Sequence, residues 1–290
     1  MSDLTPSDVL RLRLANQHLA SQRLTDPTQL VAHFGAVQAQ DLPSARWALG
    51  QRLRAATEAS IEQALADGAI LRTHVMRPTW HFVAPQDIRW LLALTAPRVR
   101  AVMSNYTRAL GIDAALIERT NATITMALKG GRYLTRTELG ASLRSSGIEV
   151  PDKVALCHIF GFAELDGVVC SGPKRGKQQT YALLEERVPP TPTRDRDEAL
   201  AELTRRYFTS HGPATLRDFA WWSGLTIKDG ELGVALNGPA LEQHSLDGQR
   251  YWCAPIAGST PSNVPPAAET FLLPRYDEYT VAFTRRELFF

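Results

Sequence analysis

The tripeptide Gln38-Ala39-Gln40 sets two side-chain amides one residue apart, with Asp41 directly behind them, where an apolar helical pattern gives way to a segment containing Pro43. Residues two apart point in nearly opposite directions on a helix but share a side in extended chain, so an extended segment would make the two amides converge. Each glutamine offers two donors and one carbonyl acceptor and does not titrate near neutrality. Such a pair can hold a water or a base edge without acting as a conventional base. Spacing alone leaves open the plainer reading of a helix end with solvated amides.

The rest of the chain bounds what the motif can belong to. With 44% hydrophobic and 21% charged residues, the 290-residue chain has ordinary globular composition and room for two or three domains. A formal charge of +2 is too mild to argue nucleic-acid binding, so that case must rest on local clusters. Cys157, Cys170 and Cys253 are odd in number and far apart, which fits neither a disulfide framework nor zinc spacing and reads as buried thiols in a reducing compartment. The start, MSDLTPSDVL, has no basic segment leading into an apolar core, and no run is long enough to cross a bilayer. A cytoplasmic protein is expected.

The elements that must position the motif repeat. Leu30, Phe34 and Val37 recur at helical spacing, Ser44 to Leu53 continues as helix, and Ile61 and Leu65 mark a third helix. Residues 69–84 then read as two strands broken at Arg77-Pro78, since proline cannot donate to a ladder. A second round runs from a helix over Asp113 to Lys129, through the capping box Thr135-Arg136-Thr137-Glu138 and a helix over Val154 to Ala163, to strands around a Gly-Pro-Lys-Arg tip. The third places Leu200, Leu203 and Tyr207 at helical spacing, a box-like start at Thr215 to Asp218, a helix from Lys228 to Leu236, and a hairpin turning at Asp247-Gly248. Helices followed by a hairpin, three times over, is the winged-helix plan. The expected fold is α+β, divided into units at 1–110, 111–192 and 193–255, with a linker and partial β segment at 256–290. Within that last segment, FLLPRYDEYTVAFTRRELFF reads as opening strands.

On this pattern the stretches VQAQDLPSARWALGQR, ILRTHVMRPTWHFVAPQDIRWLL and LLPRYDEY resemble the AlkZ/YcaQ-type winged-helix DNA glycosylases, over essentially the whole chain. The resemblance implies three tandem winged helices around a concave DNA-binding face and a C-terminal β-barrel, which this chain would hold only in truncated form. It implies removal of N-alkylated purines, above all N7-alkylguanine, from double-stranded DNA by a nucleoid-associated monomer acting without metal or organic cofactor, with interstrand crosslinks unhooked by some members. Gln38 and Gln40 fall on the family's Gln-x-Gln motif and would be catalytic, with Asp41 in reserve as a carboxylate.

Other candidates would contact DNA, with ordinary strand residues the competing reading for Arg77 and His81. Arg77 and His81 share the RPTWH bend, and Lys174, Arg175 and Lys177 crowd a glycine-flanked wing tip of the kind that meets phosphates. Arg144 lies in the second capped helix, and solvated surface charge is the competing reading for the basic tip. His74 is as readily a satisfied strand histidine as a ligand. Trp47, Trp80, Trp221 and Trp222 could stack on bases, but for most of them core packing fits better. Asp277 and Glu278 read as structural. A regulator that binds DNA through its winged helices without chemistry is the alternative function.

Overall fold

The structure, a computed structural model, describes residues 3–20, 24–255, 270–285 and 288. In chain order its elements are α1 (Pro6–Asn16), α2 (Pro27–Phe34), β1 (Val37–Gln38), α3 (Leu42–Arg52), α4 (Glu58–Asp67), β2 (Leu71–Val75), β3 (Arg77–Val83), α5 (Ile88–Ala109) and α6 (Ala114–Leu128). There follow β4 (Leu134–Thr135), α7 (Arg136–Ser145), α8 (Lys153–Leu165), β5 (Val169–Ser171), β6 (Thr180–Leu183), α9 (Leu184–Arg187), α10 (Arg196–Ser210), α11 (Leu216–Ser223) and α12 (Ile227–Asn237). The strands β7 (Glu242–Leu246) and β8 (Gln249–Cys253) precede α13 (Glu278–Val281). The mixture is α+β. No helix among the described residues is long and apolar enough to cross a membrane.

The chain divides into two compact units, one of Met1–Ile61 with Arg194–Phe290 and one of Glu62–Thr193. In the first, side chains seal the helix starts. Thr5 with Asp8, Asp195 with Glu198, Thr215 with Asp218 and Thr226 with Asp229 each form reciprocal capping boxes, satisfying amides that a helix leaves orphaned. The core is aromatic: Tyr207 stacks on His211 at 4.7 Å and meets Trp222 at 4.9 Å, while Phe34 packs edge-on to His211 at 5.3 Å. The β7–β8 hairpin turns at Asp247 (φ 50°) and Gly248 (φ 73°), the positive-φ pair that a two-residue turn requires.

The second unit holds two further hairpins. Strands β2 and β3 pair antiparallel, and β6 pairs antiparallel with both β4 and β5. The break in the first falls at Met76 rather than at Arg77-Pro78, because Met76 takes φ 64° while its N–H donates to Thr95 Oγ1 at 3.1 Å. Pro78 sits near the start of β3, where the register between Arg77 and Thr79 asks no ladder donor of it. The helix α5, absent from the periodicity reading, runs through Pro97 and buries Ile88, Leu91, Leu92, Thr95, Val99, Met103 and Thr107. Their spacing of three and four places them on one face.

The predicted linker at 256–269 lies outside the described residues. The strands expected across the tail do not form over 270–285, which runs without regular structure into the single helical turn of α13. Side chains hold it in that shape: Tyr207 Oη donates to Ala282 O at 3.1 Å, Trp221 Nε1 to Val281 O at 2.9 Å, and Thr284 N–H and Oγ1–H to Asp218 Oδ1 at 2.7 Å each. Cys170 and Cys253 are buried free thiols as expected, but Cys157 is half-buried, with Arg136 Nη1 3.1 Å from its sulfur.

Candidate active site

The motif leaves α2 through Gly35, whose φ of 83° reverses the chain, and Gln38 ends the short extended segment β1. Gln38 is buried and Gln40 exposed, so the amides are not equivalent as simple convergence would have them. The reason is a local turn: Gln40 N–H donates to Gln38 Oε1 at 2.8 Å, folding the motif back on itself. Gln38 is thereby held by its side chain, and its peptide is held as well, since its N–H donates to Glu278 Oε1 at 2.5 Å.

Glu278 and Asp277, both 1% exposed, anchor this arrangement. Glu278 Oε2 accepts from Trp222 Nε1 at 3.0 Å and lies 3.2 Å from His211 Nε2. Burial, the largest influence, lowers the His211 pKa, and Glu278 opposes that shift. The neutral ring therefore donates through Nε2. Asp277 receives a two-pronged grip from Arg52, at 2.8 and 2.7 Å, and also caps α13 by accepting from Tyr279 N–H at 2.9 Å. The acid pair of RYDEY is structural, as read, but what it structures is the glutamine motif. Spacing could not reveal that. Two adjacent carboxylates set between Tyr276 and Tyr279 were the available signal, since buried acids must find donors.

Asp41 caps α3: its Oδ1 accepts from Ser44 N–H at 2.9 Å. A cavity of about 510 Å³ flanks α3 between Trp47, Gly50, Gln51 and Ile61, and neither Gln38 nor Gln40 lines it. The charged groups on that cavity's wall, Arg46 and Glu58, pair with each other at 2.9 Å. Among the tryptophans of this unit, Trp222 is fully buried, and Trp47 and Trp221 are exposed with their indole N–H groups donated to backbone carbonyls.

The remaining candidates belong to the second unit. His81 is fully buried, its Nδ1 donating to Thr79 O at 3.0 Å, and burial together with the nearby Arg77 charge pushes its pKa well down. Arg77 is half-buried at the head of β3. His74 Nδ1 is engaged by the buried Glu164, which also accepts from Trp80 Nε1 at 3.3 Å. Lys174, Arg175 and Lys177 do gather at the exposed tip between β5 and β6, where reciprocal backbone bonds between Arg175 and Gln178 of 2.9 and 3.0 Å close the turn and Gly176 takes φ 57°. Lys174 pairs with Glu62 at 3.0 Å and Arg175 with Glu138 at 2.7 Å, so two of these cations already have acidic partners. Arg144 is exposed in the last turn of α7 and shares the rim of a cavity of about 460 Å³ with Arg119, which the sequence reading had passed over.

Comparison with known proteins defines the class. The solved Streptomyces sahachiroi DNA glycosylase AlkZ has the same fold, with a TM-score of 0.73 at 23% identity over 87% of this chain and 70% of that one. The chain is also 27% identical over 227 residues to the Interstrand DNA cross-link repair glycosylase of Streptomyces sahachiroi, covering 75% of this chain but 60% of that relative. The AlkZ-like DNA glycosylase family model matches residues 31–290, and the chain belongs to that family.

Proposed function

We propose that the protein is a monofunctional DNA glycosylase that hydrolyses the N-glycosidic bond of N-alkylated purines in double-stranded DNA, N7-alkylguanine above all. The observation that carries this reading is the double anchoring of Gln38, by Glu278 at its peptide and by Gln40 N–H at its side chain. An amide held twice in a buried setting is pre-oriented, which is what positioning catalysis asks of a group that cannot ionise.

Alkylation at N7 puts positive charge on guanine and makes the base a good leaving group. The bond from C1′ to the base breaks with its electrons moving to the purine, while water adds to the oxocarbenium-like sugar and releases a proton to solvent. Gln38 and exposed Gln40 would orient that water and set partial negative charge toward the sugar. Asp41 has a cap to serve and ranks below them. The three hairpins and their preceding helices fit winged-helix units spanning 1–110, 111–192 and 193–255. The β5–β6 tip, Arg144 and Arg77 would contact phosphates, whereas His81, fully buried, would act through the shape of its strand. The relative's name extends the proposal to interstrand crosslinks.

Family membership disfavours the regulator without chemistry. The test is incubation of the protein with duplex carrying N7-methylguanine, measuring free base and abasic sites. Release that is lost in Gln38→Ala and Gln40→Ala supports the proposal; tight binding with no release overturns it.

A further inference from the structure

We infer that Glu278 is a positioning residue, whose carboxylate fixes the Gln38 peptide and so aims the Gln38 amide; this rests on the role proposed for Gln38. Both carboxyl oxygens face N–H donors, Oε1 the Gln38 peptide and Oε2 the Trp222 indole. An ionised carboxylate accepts at both positions, whereas a protonated one would turn an O–H toward a donor. His211, kept neutral by burial, adds a third donor without cancelling the charge.

Other contacts also hold the tail. Asp277 grips Arg52 and caps α13, Tyr207 and Trp221 bond the carbonyls of Ala282 and Val281, and Thr284 bonds Asp218. Glu278 differs from these fasteners in touching the motif. A buried charge is costly unless every lone pair is used, and here one oxygen serves the residue that the chemistry needs placed.

The test is Glu278→Gln, which keeps the volume but turns an NH2 toward one set of donors. Misplacing a catalytic group by a fraction of an ångström should lower kcat for release of N7-methylguanine by about 10- to 100-fold, with KM within about twofold. The control is Thr284→Val, which loosens the tail away from the motif and should lower Tm while preserving kcat. Wild-type kcat in a folded Glu278→Gln protein overturns the inference.

A second measurement needs neither the variant nor turnover. In the unmutated chain the Gln38 amide proton should resonate far downfield and exchange with solvent slowly, as a peptide bonded to a buried carboxylate does. Exchange at the rate of an open loop overturns the positioning role even if the variant does not fold. Absence of base release by the wild-type protein, with a protected Gln38 amide, instead overturns the glycosylase reading and leaves the anchoring intact.

Discussion

Two arginine–carboxylate pairs, one in each unit, close to the same 2.7 Å and share little else. The side chains of Arg52 and Asp277 are 2% and 0% exposed, whereas those of Arg175 and Glu138 are 53% and 42% exposed. The difference teaches that distance does not set what a pair does here; surroundings do. Buried among apolar side chains, the first holds the tail segment that anchors Gln38, and neither partner can be lost cheaply. In water, the second is a replaceable contact at the β5–β6 tip, and under the proposed function its arginine would exchange Glu138 for a phosphate.

The largest effect should come from breaking the buried pair. Arg52→Met leaves Asp277 charged and uncompensated, and loss of one partner of a buried pair costs about 3–5 kcal/mol; chemical denaturation should register it. Arg175→Met should leave stability unchanged by the same measurement. A comparable loss in both would erase the distinction. Gln38→Ala comes next. Removing one pre-oriented polar group typically costs about 10²–10³ in turnover, while the fold should survive because the hydrogen bond from the residue 38 backbone N–H to Glu278 remains.

Acid separates the two regions in another way. Burial, foremost, holds His33 down at about 4, against an ordinary 6.5. The unfolded chain takes up that proton first as pH falls, so His33 contributes stability above pH 6.5 that is progressively lost between 6.5 and 4. Glu138, held at about 2 chiefly by the Thr135 N–H, then by Thr135 Oγ1 and Arg175, stays ionised throughout that window. Urea midpoints measured across pH 7 to 4 should therefore decline, and His33→Gln should flatten the decline, while the wing pair persists. A decline unaffected by that substitution would remove His33 as its source.

The wing itself should be read through salt. If Lys174, Arg175 and Lys177 each neutralise a phosphate, replacing all three with alanine should reduce the slope of log Kd against log salt by about 2–3, without altering turnover of bound substrate. An unchanged slope would make the tip solvated charge, the competing reading of the sequence.

Much of the frame was legible in the residues. The capping boxes at Thr135 and Thr215, the Asp247-Gly248 turn and the ends of α6 are local signals, written by side chains that satisfy backbone groups within a few residues. What failed was non-local. The helix α5 runs through Pro97 without a break, and the tail's apolar and aromatic residues read as strands although contacts from Arg52, Tyr207, Trp221 and Asp218, far away in sequence, hold it in another shape. The same holds at the site. Gln38 and Gln40 could be singled out by type and spacing, but the carboxylate that accepts from the Gln38 N–H belongs to Glu278, 240 residues away.

Asp41 should give the smallest effect, and it is the most discriminating. As the N-cap of α3 its Oδ1 accepts from Ser44 N–H, a duty that asparagine performs nearly as well, while alanine at such a position costs about 0.5–2 kcal/mol. Asp41→Asn should therefore keep both stability and base release close to wild type, and Asp41→Ala should lose stability but retain release at temperatures where it is folded. A carboxylate acting on the water predicts the opposite: Asp41→Asn folded, bound to DNA and inactive. That outcome would move the chemistry from the buried amide to the cap beside it, and with it the reason for anchoring Gln38 at all.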